Sequence, residues 1–190
     1  GKVNYHPTLV DLDAVSKNLK FENAFSDFLD LKLQGESQIN ANIHYSELMP
    51  IEKGRTRVLG RLSAENAGVE KQNLGQLSGP LNYIGNILRI GPMKLRKGGG
   101  VATFIGSLES RKDKGSYLDI NGKFDRLELD FKGVDSDTEI LHAFASGTSK
   151  IQGFTNSKSE NFLSGPIDLQ MEGVRSFGIP FLSANAKGRY

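Results

Sequence analysis

Imidazoles, thiols and paired carboxylates are the side chains from which nucleophilic, acid–base and metal chemistry is built. This chain offers few of them. Its 190 residues include three histidines, His6, His44 and His142, and no cysteine. The histidines are far apart, and none has a second ligand type at metal-binding spacing. His44 alternates with Asn40 and Asn42, which predicts a solvated face. His142 is in phase with Ile140 and Phe144, which predicts a histidine in the core or at its rim.

The carboxylates give no better start. Asp11 and Asp13 are paired, and Asp135, Asp137 and Glu139 open like a calcium loop. That loop needs glycine at its sixth position and glutamate at its twelfth, and neither follows. Asp30, Glu128 and Asp168 recur in one repeated pattern, where alternation puts them on the polar face of separate strands rather than in an acid–base pair. Gly98, Gly99 and Gly100 lack the Lys-Ser/Thr and helix of a phosphate loop, and no nucleophile elbow or dinucleotide fingerprint occurs. The expectation is a protein that is not an enzyme and needs no metal or cofactor.

Charge narrows the partners. With 24 basic and 22 acidic residues, a net charge of +2 does not imply nucleic acid. Lys94, Arg96 and Lys97 form the one like-charge cluster; a solvated loop is the expected reading, and contact with an anionic headgroup the alternative. The lack of cysteine fits the cytosol or the bacterial periplasm. No apolar run reaches the roughly 18–20 residues of a spanning helix, and no signal peptide is present. Gly1 at the start and the strand-like LSANAKGRY at the end are read as a segment of a longer polypeptide, with any anchor outside it.

The elements available to position any site are strands. Period-two alternation recurs in Val10, Leu12 and Ala14, in Ile39, Ala41, Ile43 and Tyr45, and in Val58, Gly60, Leu62 and Ala64. Asn121-Gly122 predicts a tight hairpin, and the phase slip between Phe124 and Leu127 a turn or bulge at Asp125 and Arg126. PLNYIGNILRI (80–90) is read as a hairpin around Gly85-Asn86 rather than a helix. Stretches 46–55, 65–79, 146–150 and 155–165 are read as connections. Residues 1–190 are thus one all-β unit of ten to thirteen mostly antiparallel strands of about seven residues each. One face is apolar. In water it must meet a second sheet, curl on itself, or cover something apolar, because burying each large side chain contributes about 1.5–3 kcal/mol.

One strand pattern returns three times: LDLKLQG (29–35), LELDFKG (127–133) and IDLQMEG (167–173). Together with LSGPLNYIGNILRIGPMKLRKGGGVATFIGSLES (77–110) and GIPFLSANAKGRY (178–190), these motifs resemble the AsmA-like family of bacterial envelope proteins, its TamB-like members in particular. The resemblance spans most of the chain as a periodic texture. It implies an elongated sheet curled into an open, taco-like groove with an apolar concave face. It further implies a periplasmic location within an inner-membrane-anchored protein, phospholipid acyl chains as cargo and an outer-membrane β-barrel assembly protein as partner. Neighbouring repeats of the same chain would pair with the sheet edges. The residues expected to line the groove are Leu29, Leu31, Leu33, Ile39, Ile43, Leu118, Ile120, Leu127, Leu129, Phe131, Ile140, Phe144, Ile167, Leu169 and Met171. A closed β-sandwich serving as a structural or protein-binding module is the alternative. A transmembrane barrel lacks its aromatic girdles here, and a β-helix lacks its constant coil length.

Overall fold

The computed structural model describes residues 3–6, 9–20, 33–50, 55–69, 72–111, 115–133, 138–155 and 162–189. Every regular element among them is a strand: β1 (Val3–His6), β2 (Leu9–Lys20), β3 (Leu33–Gln34), β4 (Glu36–Ser46), β5 (Thr56–Val69), β6 (Gln72–Ile84), β7 (Ile87–Lys97), β8 (Gly100–Arg111), β9 (Gly115–Lys132), β10 (Glu139–Thr155), β11 (Phe162–Ser164), β12 (Pro166–Ser176) and β13 (Ile179–Arg189). All join one antiparallel sheet in the order β1-β2-β4-β5-β6-β7-β8-β9-β10-β12-β13. β3 continues the line of β4 along β5, and β11 that of β12 along β10. β1 and β13 do not meet, so the sheet is open. Neighbours in sequence are neighbours in space because short hairpins suffice to join antiparallel strands.

Several local signals act as expected. Gly85, at φ 66°, turns the chain between β6 and β7. The phase slip after Phe124 is a bulge, with Arg126 at φ 47° and the register shifted opposite Ala145 to Gly147. Asn121-Gly122 behaves differently from expectation. It lies inside β9, an uninterrupted strand of 18 residues, with Asn121 opposite Ile105 and Lys150. Long partners on both sides keep the ladder running, and a turn would forfeit those bonds. Gly122 instead makes room for the Phe104 ring, which an added Cβ would approach to 3.1 Å. Stretches 65–79 and 146–150 are likewise largely strand, within β5, β6 and β10. The main strands are accordingly longer than the expected seven residues.

The glycine that ends the repeated pattern also has another role than turning the chain back. Gly35, at φ 119°, separates β3 from β4 while both keep pairing with β5. A side chain there would collide with the Asn66 carbonyl. Gly173, at φ 58°, lies within β12, where the register against β10 slips by one. Both bend a continuing strand, as left-handed bulge positions do.

Register assigns each side chain to a face. Leu62 stands opposite Ile39 and Gly79, Leu95 opposite Leu77 and Ala102, and Leu127 opposite Ala145. The buried apolar residues, including Leu62, Met93, Leu95, Ala102, Leu108, Leu118, Leu127, Ala143 and Ala145, all fall on this one face. The described residues form no helix and no second sheet, and their apolar face packs against itself. β6 and β9, three places apart in the order, touch; a flat sheet would hold them about 14 Å apart. Leu74 and Leu77 of β6 pack on the cluster of Leu95, Ala102 and Leu127. Gln72 ties the curl: its side chain donates to the Lys132 carbonyl at 2.8 Å and accepts from the Lys132 amide at 3.0 Å. The apolar face is therefore concave.

Candidate functional site

The concave face runs the width of the sheet. From β4 it carries Ile39, Ala41 and Ile43, from β6 and β7 Leu77, Leu81, Ile90 and Met93, and from β8 Phe104. β9 adds Leu118, Ile120, Phe124, Leu127, Leu129 and Phe131, and β12 adds Ile167, Leu169 and Met171. Most of the expected groove residues thus come together, but the face is not uniform. In the centre Leu62, Ala64, Ala67 and Met93 form one buried cluster and Leu95, Ala102 and Leu127 another, with Phe104 packed against both. Phe104 meets Phe124 edge to face, 5.7 Å between centroids. Ile39 packs against the first cluster, and towards the sheet edges Ile43, Ile167, Leu169 and Met171 are only half-buried. Phe131, at the end of β9, is 41% exposed.

Two expected groove residues lie elsewhere. Phe144 pairs with Glu128 and therefore shares the polar face, where it covers Gly173. Ile140 is the extra residue of a bulge, 37% exposed, and Leu141 takes the concave place opposite Phe131. Alternation along β10 is regular from Leu141 to Ala145, and Phe144 simply occupies its convex phase. Leu29 and Leu31 lie outside the described residues, and Leu33 is placed through its backbone pairing with Val69.

The convex face holds the polar groups. His44 bonds Asp11 at 2.7 Å, and Asn42 donates to Asp13 at 3.1 Å, so the solvated face expected at His44 is the one observed. His142 is on this face as well. It lies 3.8 Å from Glu128 and edge-on to Phe144. Ligand atoms of Asp130, Glu139 and His142 lie within 4.8 Å of one another, a grouping that sequence spacing missed because Asp130 arrives from the neighbouring strand. Arg175 reaches Glu139 at 3.5 Å. Lys94 and Arg96 are strand residues of β7, not the expected loop, and Lys97 donates to the Asn73 carbonyl.

A cavity of about 700 Å³ opens beside Lys17, Glu36, Gln38, Glu65, Gln76 and Arg96. Its lining is mostly polar, with Ala64 and Leu77 as its apolar members. The chain exposes 12328 Å² in all, where a compact monomer of this mass exposes about 8,900 Å². A single curled layer contributes to this excess, because the convex side of the described strands faces away from the trough and the concave side is only half-buried at the flanks. Such an arrangement can hold apolar matter along a trough. Comparison with family models, curated proteins and solved structures found no match.

Proposed function

We propose that this chain is a non-enzymatic segment of a bacterial envelope protein. Its apolar trough carries phospholipid acyl chains, or shields hydrophobic outer-membrane protein segments, between the inner and outer membranes. The observation that carries the reading is the apolar face, over which the described residues lay no second layer, half-buried at its flanks where Ile43, Ile167, Leu169 and Met171 remain accessible. Hydrocarbon placed there loses contact with water at about 0.8 kcal/mol per CH₂. The resemblance of its strand motifs to the AsmA-like family supports a periplasmic location in an inner-membrane-anchored protein. It also supports an outer-membrane β-barrel assembly protein as partner and pairing with neighbouring repeats at the sheet edges.

A photo-reactive residue at Leu169 tests this, with the same residue at Asp168 as control. In the presence of phospholipid, Leu169 is expected to crosslink to lipid and Asp168, on the convex face, far less. Equal labelling of both, or none at Leu169, overturns the lipid reading and leaves a structural or protein-binding module.

A further inference from the structure

The convex face is segregated by charge in a way the linear sequence hides. β5, β6 and β7 turn five cations to it, Arg57, Arg61, Arg89, Lys94 and Arg96, and a single acid, Glu65, while Lys97 falls in the concave phase of β7 opposite Gly100. Lys97 is engaged by the Asn73 carbonyl. The other five are exposed, and none forms an ion pair with a described residue. The acids and their partners lie to either side: Asp11 with His44, Glu109 with Arg111, Asp119 with Lys150, Asp168 with Lys187.

The five cations do not converge. Arg57 and Arg61 are four residues apart on one strand, about 13 Å, and β5 and β7 are two strands apart, about 10 Å. No single anion can engage them together, whereas a plane of anions can. Exposed apolar side chains sit among them, Leu59 at 41% between the two arginines and Ile105 at 55% on β8. No described aromatic projects from the convex side of β5, β6 or β7 to stack on a nucleobase. We infer that this surface docks on an anionic phospholipid bilayer, cations on the headgroup phosphates and Leu59 and Ile105 towards the acyl boundary. The inference does not rest on what the concave face carries.

Co-sedimentation of the chain with vesicles tests it. Binding is expected to vesicles of equal parts phosphatidylcholine and phosphatidylglycerol and not to phosphatidylcholine alone, and to weaken steeply with salt. Replacing Arg57, Arg61 and Arg89 together by Gln is expected to weaken binding about 100-fold, while Lys187→Gln at the flank changes it less than about twofold. Circular dichroism checks the fold. If the triple variant is unfolded, Lys94→Gln with Arg96→Gln takes its place, with about 25-fold expected. Equal binding to both vesicles, or no loss in the folded variants, overturns the inference. Single-stranded DNA that displaces the vesicles at equal charge concentration also overturns it, because the surface would then take any polyanion.

Discussion

Leu127 and Ile167 open two copies of the same seven-residue pattern and face the same side of one sheet. Leu127 is 3% exposed, whereas Ile167 is only half-buried. The difference lies across the trough from each. β6 folds over β9, and Leu74 and Leu77 pack on the cluster that Leu127 forms with Leu95 and Ala102. β12 makes its main contacts with its ladder partners β10 and β13, so among the described residues Ile167 has neighbours beside it and little above it. The strand pattern selects the face; the curl decides whether that face becomes a core or an open surface. One chain can therefore hold a folded centre and leave apolar flanks for another use.

Charge insertion is the strongest way to break the comparison. Leu127→Asp is expected to cost more than about 4 kcal/mol, because it buries an unpaired carboxylate. Ile167→Asp should cost about 1 kcal/mol, since the carboxylate can reach water. Urea denaturation of the two variants measures both, and equal losses would erase the distinction between centre and flank. Overpacking probes the same contrast more gently. Ala145→Leu should destabilise by about 1–3 kcal/mol, while Ala186→Leu on β13 should stay within about 0.5 kcal/mol. The smallest effect belongs to the clasp at the centre's end. Gln72→Ala removes two exposed hydrogen bonds, with an expected loss of about 1 kcal/mol. Hydrogen exchange at the Lys132 amide should then quicken, while amides of the β12–β13 ladder keep their rates.

Much of the fold was legible in the sequence because alternation reports directly on a sheet with one apolar side. Val58, Gly60, Leu62 and Ala64 fall on the face their spacing predicts, and the slip at Asp125 and Arg126 is a true bulge. Asn121-Gly122 misled because a turn signal competes with ladder partners, and here β8 and β10 extend past it on both sides. Phe144 misled for a simpler reason. Hydrophobicity alone does not name a face, and its strand mates Ala143 and Ala145 hold the concave phase. The grouping of Asp130 with His142 and the basic field across β5 to β7 were hidden because both form between strands. Sequence distance carries no record of lateral register.

Ala102, Ala143 and Ala145 are completely buried on the concave side, with no side chain larger than a methyl. They act as the thinnest spacers in the wall of a trough whose two sides press together. The bore of such a trough is set by side-chain volume at a few inward positions, not by strand number or length. Exchanging methyl for isobutyl groups there would push the two sides apart without changing topology. Calibre and length are therefore independent design variables in this architecture: one is adjusted by point substitution, the other by adding strands at an open edge.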